Sequence, residues 1–342
     1  MNSRSIFRLK TKHFPLLALI LVHIQFSCSS PQPRAQTNNA RSLDSLGLVH
    51  SLIAANPYAD SLYLQRANLY FQRQLLDSSI ADLNKAIFLD SLNKDYYLYL
   101  SDVYLANAQS KSAKEILDRA LALFPDNVEV LLKIARLQLI LQQHIQAMTV
   151  MDKVFMIDPQ NAKAYYLAGH LLYEMGDTTK AIYSYQKATD FDPELVEAWI
   201  QLGDLYTEKS NPRAIQYYDN AIRIHPDDVE TLHNKAYALQ KFNRVQESIE
   251  LYRQICVRFP QYEPAFYNLG ILFKSEDSLD AAIKQFSRAI ELNPAESSNY
   301  FHRAQAYILQ NNKTAAREDL LKCTSLNPTD NEAKELLLTT EK

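Results

Sequence analysis

Eight of the thirteen prolines in this 342-residue chain lie on one ruler. They fall at 57, 125, 159, 193, 226, 260, 294 and 328, spaced by 34 residues apart from one step of 33 and one of 68. Ser91 stands where the long step skips a mark. A fixed period of this length does not come from one globular core. It marks stacked units, each too small to bury its own apolar face and each resting on the next.

Numbering each repeat so that this proline is position 32 gives starts at 60, 94, 128, 162, 196, 229, 263 and 297. Position 8 is then always small: Ala67, Ser101, Ala135, Gly169, Gly203, Ala236, Gly270 and Ala304. Position 20 is always Ala or Ser, from Ser79 to Ala316. Position 24 is always bulky: Leu83, Leu117, Met151, Tyr185, Tyr218, Tyr252, Phe286 and Leu320. Position 27 runs from Ala86 to Cys323 and is mostly Ala.

Each copy holds two amphipathic runs with apolar residues at i, i+3, i+4 and i+7. In the fourth, Tyr165, Ala168, Gly169 and Leu172 share one face. Small residues at 8, 20 and 27 let the paired helices approach to the ~8–10 Å limit of helix packing. The position-32 proline ends the second helix, because it disfavours helical backbone in the residue before it. Gly176, Asn243, Asp277 and Asn311 sit between the two runs and tolerate left-handed backbone. The fifth copy is one residue short at Asn211-Pro212, which predicts a tighter corner there.

These positions resemble the tetratricopeptide repeat. The fifth copy carries the pattern most fully, with Trp199, Leu202, Gly203, Tyr206, Ala214, Tyr218, Ala221 and Pro226 in order. The resemblance covers residues 60–330. It implies an all-α fold, a right-handed α-solenoid of about eight helix-turn-helix repeats and about eighteen helices. A half-repeat helix closes each end. Residues 42–59 match a lone second helix, with Ser45, Val49 and Leu52 at positions 20, 24 and 27. Residues 331–342 match a lone first helix carrying Leu336 to Leu338.

The N-terminus reads as an address. Arg4, Arg8, Lys10 and Lys12 precede an apolar run from Phe14 to Val22, and the first acidic residue is Asp44. That run is too short for the ~20 residues of a membrane-spanning helix and fits a secretory signal over residues 1–27. Ser27-Cys28 resembles the processing site of bacterial lipoproteins, which implies lipidation of Cys28. Gln25 and Phe26 depart from that pattern, and an ordinary cleaved signal is the alternative. Residues 28–41 are polar and proline-bearing, as in a flexible tether. The lipoprotein resemblance implies a periplasm-facing protein of the bacterial cell envelope, on either membrane.

Composition removes several function classes. Glycine occurs only 5 times in 342 residues, too few for glycine-rich phosphate loops. Net charge is −3, and loss of residues 1–27 would make it −7, so nothing points to nucleic acid. No nucleophile elbow, zinc-protease helix or Walker loop is present. No two of the eight histidines stand four residues apart. His170 and His233 therefore read as surface histidines, and Cys256 and Cys323 as small core residues. No enzyme, cofactor or metal site is expected.

Binding remains. A stack of helix pairs makes an extended concave surface, which the family lines with the first helix, chiefly at positions 2, 5, 9 and 12. The residues so placed are Leu64, Asn68 and Phe71; Leu98, Asp102 and Leu105; Leu132, Arg136 and Leu139; and Tyr166, His170 and Tyr173. Later copies place Ile200, Asp204 and Thr207; His233, Tyr237 and Gln240; Tyr267, Ile271 and Lys274; and Phe301, Gln305 and Ile308. Glu197, Asp204, Glu208 and Glu230 add negative charge around the fifth copy. The expected function is a non-catalytic, lipid-anchored scaffold that binds a partner peptide or protein segment in this groove, in envelope assembly or secretion. Membrane contact would run through the lipid only. The chain would be a monomer, with homo-oligomers left open, and a self-associating spacer is the alternative. Tyrosines at positions 5 and 12 have a second reading as packing between neighbours.

Overall fold

The structure is a computed structural model that describes residues 38–340, with side chains from Ser45 onward. The signal-like segment, Cys28 and residues 29–37 of the expected tether lie outside the described residues; the last four residues expected in the tether, 38–41, are instead helical. The described residues form eighteen α-helices and no strand. They divide after Asp192 into two compact units.

The first unit opens with α1 (Asn38–Ala55) and continues as four helix hairpins: α2 (Asp60–Gln72) with α3 (Leu76–Leu89), α4 (Lys94–Ala106) with α5 (Ser110–Leu123), α6 (Val128–Ile140) with α7 (His144–Ile157), and α8 (Ala162–Glu174) with α9 (Thr178–Phe191). The second holds α10 (Val196–Glu208) with α11 (Ala214–Ile224), α12 (Val229–Lys241) with α13 (Val245–Arg258), α14 (Glu263–Ser275) with α15 (Leu279–Leu292), and α16 (Ser297–Leu309) with α17 (Lys313–Leu326), then α18 (Asn331–Thr339). Within each hairpin the first helix is helix A and the second helix B.

Positions 8 and 24 come within van der Waals reach in the hairpins with glycine at position 8. A Cβ placed on Gly169 would stand 2.5 Å from the Tyr185 ring, on Gly203 2.5 Å from the Tyr218 ring, and on Gly270 2.7 Å from the Phe286 ring. Leucine at position 24 in repeats one, two and eight goes with Ala67, Ser101 and Ala304 at position 8, all sealed from solvent. The serines at position 20 are also sealed, and their hydroxyls donate to position-8 carbonyls: Ser79 to Ala67 (2.9 Å) and Ser248 to Ala236 (2.7 Å). Cys323 is fully buried at position 27, and Cys256 half-buried.

The residue at position 15 has positive φ in all eight hairpins: Gln74, Ala108, Gln142, Gly176, Ser210, Asn243, Asp277 and Asn311. Two backbone bonds close each turn, as where Asp177 N–H donates to Leu172 O and Gly176 N–H to Tyr173 O (2.8 and 2.9 Å). This is the bond pair that satisfies the last carbonyls of a helix. The fifth copy keeps it at Ser210, so its corner is not tighter. The missing residue comes out of helix B instead, which has 11 residues against 14 elsewhere. Pro212 supplies no N–H, and Asn211 Oδ1 accepts from Arg213 N–H (3.1 Å).

The position-32 carbonyls find side-chain donors. Tyr63 and Tyr97 donate to Pro57 O and Ser91 O (both 3.0 Å), Trp199 to Pro193 O (2.8 Å) and Tyr300 to Pro294 O (3.2 Å). Lys153, Arg258 and Arg288 do the same for Pro125, Pro226 and Pro260. Each such bond adds about 1 kcal/mol and ties a helix pair to the loop before it. The first and last hairpins also share a buried fork. Arg66 grips Asp82 and Arg303 grips Asp319, each through two bonds of 2.7–2.8 Å. Each guanidinium also lies over two tyrosine rings. Removing one partner of such a pair costs about 3–5 kcal/mol.

The end helices depart in detail from their expected register. On α1, Val49 and Ile53 are buried while Leu52 is 42 % exposed. Val49 and Ile53 form one i, i+4 stripe against α2. On α18, Ala333 is buried, Leu336 and Leu337 pack on the last hairpin, and Leu338 is exposed.

The contact between positions 8 and 24 predicts a compensating pair. Gly270→Ala alone forces a Cβ into the Phe286 ring and should cost about 1–3 kcal/mol. Combining it with Phe286→Leu recreates the alanine–leucine pairing of Ala304 and Leu320. Urea unfolding of the two single variants and the double should then give a double-mutant cost below the sum. Strict additivity would show that the contact does not set the helix separation.

Candidate binding face on the A helices

The residues expected on the groove wall separate by repeat position. Position 5 is mostly packing. Leu98, Tyr166, His233, Tyr267 and Phe301 are all at least nine-tenths buried, and Leu64, Leu132 and Ile200 are half-buried. The cause is the ring below them. Tyr166 lies 5.9 Å from Tyr185, His233 5.6 Å from Tyr252 and Tyr267 6.2 Å from Phe286, each pair joining positions 5 and 24 of one hairpin.

Position 9 behaves differently. Asn68, Asp102, Arg136, His170, Asp204, Tyr237 and Gln305 keep part of their surface open, and only Ile271 is closed. At position 12, Tyr173 is 40 % exposed, Phe71, Leu105, Gln240, Lys274 and Ile308 are half-buried, and Leu139 and Thr207 are closed. The Leu64–Phe71 end of this row has further cover, since Phe71 meets Tyr99 edge-on at 6.0 Å.

Neither histidine is a surface group. His233 is 1 % exposed, with its ring between Tyr252 and Tyr262. His170 stands edge-on to Tyr166 and Tyr185, and its Nε2 is sealed and without a hydrogen-bond partner. Burial pushes its pKa down to about 4, and the charge of Arg136 adds to the shift. Repeat-position analogy places both on a wall; the ring at position 24 closes off His233 and seals the Nε2 side of His170, whose remaining edge stays partly open.

Adjacent A helices are linked by a recurring reach from position 6 to position 9. Lys133 on α6 donates to Asp102 on α4 (2.6 Å), and Asn234 on α12 donates to Asp204 on α10 (3.3 Å). Asp102 is thus already ion-paired. Asp204 also accepts from the hydroxyl of Tyr218 on α11 (2.7 Å). Burial raises its carboxyl pKa to about 7; the Tyr218 bond opposes the rise and Glu208 adds to it. Glu230 accepts from Tyr262 (2.9 Å). The negative charge of this region is therefore partly neutral and partly engaged.

A third linkage lies further along. Lys274 at position 12 of α14 donates to Gln305 Oε1 on α16 (2.5 Å) and stands 3.2 Å from His302 Nδ1. His302 is the residue that sequence analysis left out. It lies at position 6, three residues before Gln305, and so shares its helix face. Among the described residues no group of three metal-binding side chains occurs, and no helix is long and apolar enough to cross a membrane.

The raised Asp204 pKa has a signed consequence. Between the ordinary aspartate value near ~3.9 and about 7, the folded protein holds a proton that the unfolded chain releases. This contribution to stability is complete at acid pH and is lost as pH rises through 7. Asp204→Asn should remove it. The fall in Tm from pH 5 to pH 8 is expected to be smaller in the variant, by roughly 2–5 °C. Equal falls in both proteins would overturn the assignment.

Models of the tetratricopeptide repeat match residues 64–128, 104–171, 169–210, 204–263, 263–296 and 297–330. A UDP-N-acetylglucosamine–peptide N-acetylglucosaminyltransferase of Giardia intestinalis is 31 % identical over 121 residues, covering 35 % of this chain and 8 % of the transferase. Tetratricopeptide repeat protein 36 of Caenorhabditis elegans is 42 % identical over 57 residues, covering 17 % of this chain and 32 % of that protein. The matches span less than a third of either relative's own length. Among solved structures, the C-terminal part of a TPR repeat-containing protein from Cytophaga hutchinsonii superposes with TM-score 0.59 at 18 % identity, covering 70 % of this chain and 99 % of that one. The Cut9–Hcn1 hetero-tetramer of the APC/C gives 0.52 at 17 % identity, covering 90 % and 61 %. These two likenesses show the fold. With the repeat models covering residues 64–330 and the hairpins built on positions 8, 15 and 24, this chain belongs to the tetratricopeptide-repeat family.

Proposed function

We propose that this chain is a non-catalytic scaffold that holds a segment of a partner protein against its A helices. We further propose that Cys28 carries a lipid anchoring it in a bacterial cell envelope, facing the periplasm, and that it serves envelope assembly or secretion. The observation that carries the binding reading is a contrast within single helices. Position 8 is sealed in every repeat, while position 9, one residue on, stays partly open in seven of eight. Those open side chains are polar or aromatic, the kinds that anchor peptide segments. The anchor reading rests on the basic n-region, the short apolar run and Ser27-Cys28.

The test is chemical crosslinking in native envelopes, comparing the full chain with a Tyr173→Ala/Tyr237→Ala variant. Tyr173 is the most exposed of the aromatic candidates and Tyr237 is half-buried, so the pair leaves the packing of position 5 intact. The partner captured by the parent should be lost from the variant at equal helical circular dichroism. A partner retained by both would move the binding surface off the A helices.

One observation favours a second reading, self-association. Helix α7 exposes Ile145 (80 %), Met148 (38 %) and Met156 (78 %), an apolar surface of the kind that marks association. Sedimentation equilibrium decides this. A mass of one chain is expected from the scaffold reading, and a mass of two that falls with Ile145→Ser/Met156→Ser would favour self-association.

A further inference from the structure

The A helices of the last two repeats carry a cation that the fold does not neutralise. Most half-buried cations of the A helices meet a carboxylate. Arg66 pairs with Asp82, Lys94 with Glu129, Lys133 with Asp102, Lys235 with Asp219 and Arg303 with Asp319. Lys274 does not. Its ammonium contacts are neutral, Gln305 Oε1 and His302 Nδ1, and the acid acting on it from a distance is Glu332 on α18. Burial lowers its pKa to about 8. An ammonium that has lost water without gaining a counter-ion is destabilising, so a carboxylate brought to it gains a charge-assisted bond at little further desolvation cost.

There is room for one. Lys274 and Gln305 form the polar side of an open trough of about 270 Å³, and Ile308, Leu309 and Leu336 form the apolar side. That volume falls just below the ~300–1,000 Å³ of small-molecule sites and suits one or two side chains. The trough is built by three alternate helices, α14, α16 and α18, and lies open to solvent, so a chain can cross it without ending there. Leu309 is 61 % exposed and offers apolar contact beside the charge.

We propose that this trough is the anchor for an acidic side chain, Glu or Asp, flanked by an apolar residue in the partner segment. The inference rests on the scaffold reading and names the chemistry of one anchor in it. The carboxylate pairs with the Lys274 ammonium, the Gln305 amide N–H can donate to its second oxygen, and the neighbouring apolar side chain covers Ile308, Leu309 and Leu336. The acids already in place at Asp82, Asp102 and Asp319 exclude the same role for the paired cations.

The test uses the full chain carrying ¹³C at lysine Cε and leucine methyls, with the Lys274 signal assigned by its loss in Lys274→Met. The probe is the end-blocked pentapeptide acetyl-Ala-Leu-Glu-Leu-Ala-amide. Its controls are the Gln twin and that Gln twin with a free C-terminal carboxylate. The Glu probe should shift the Lys274, Leu309 and Leu336 signals saturably, with a millimolar or tighter midpoint. The Gln twin should bind at least about five-fold more weakly. Lys274→Arg should keep the leucine shifts and Lys274→Met should lose them. Lys274→Met removes an uncompensated charge, so its Tm should equal or exceed that of the parent, which separates lost binding from lost folding. Equal shifts from Glu and Gln probes, no shift, or a shift only with the free chain end would each overturn the proposal. If the Glu probe fails while Tyr173→Ala/Tyr237→Ala still loses its partner, the anchor alone is wrong. If the probe binds while that variant keeps its partner, the anchor stands and the role given to Tyr173 and Tyr237 fails.

Discussion

The close approach of helix A to helix B, through a small residue at position 8 and a bulky one at position 24, is the contact on which the rest of this structure depends. It fixes the distance between paired helices. It sends the Tyr185, Tyr218 and Tyr252 side chains from helix B up beneath helix A. From that placement follow the burial of Tyr166 and His233, the sealing of one side of His170, and the bond from the Tyr218 hydroxyl to Asp204. A side chain larger than the one present at Gly169, Gly203 or Gly270 would meet a ring at under 3 Å.

The inner face thereby divides its labour. Positions 5 and 8 hold the stack together, and most side chains at positions 9 and 12 keep part of their surface open. Even there the fold consumes much of the charge internally. Asp102 is held by Lys133, Asp204 by Tyr218 and Asn234, and Glu230 by Tyr262. What is left unneutralised is informative by contrast, and Lys274 stands out because its neighbours are an amide and an imidazole rather than a carboxylate. Carboxylates that read in sequence as open charge on the A helices are, in three dimensions, engaged by neighbouring side chains.

The turns show the same interplay. Gly176, Asn243, Asp277 and Asn311 are residues that accept left-handed backbone, and their role is legible in sequence. Gln74, Ala108, Gln142 and Ser210 are not, yet they take the same conformation at the same position. The two-bond closure of helix A and the packing of helix B beneath it outweigh the ~1–2 kcal/mol that a non-glycine residue loses there. In the fifth copy that closure also survives a deletion, which helix B absorbs by giving up its first turn. Local preference yields wherever tertiary contact is repeated on both sides.

The sequence by itself determined the repeat, the helical class and the small-against-large pairing. These rest on residue size and proline geometry at a fixed period, which need no knowledge of neighbours. It also marked the inner positions, because helix periodicity puts 5, 9 and 12 on one face. Which of those positions are open was decided only by the tertiary structure. Tyr166 and Tyr173 look alike in sequence, yet one is 8 % and the other 40 % exposed, because a ring from helix B lies beside the first. Nor could spacing show that Lys274 lacks a counter-ion while Lys133 has one, since each depends on which side chain the next repeat places opposite it. Periodicity fixes where a side chain stands on its own helix; the partner across the gap belongs to another helix, and only packing brings the two together.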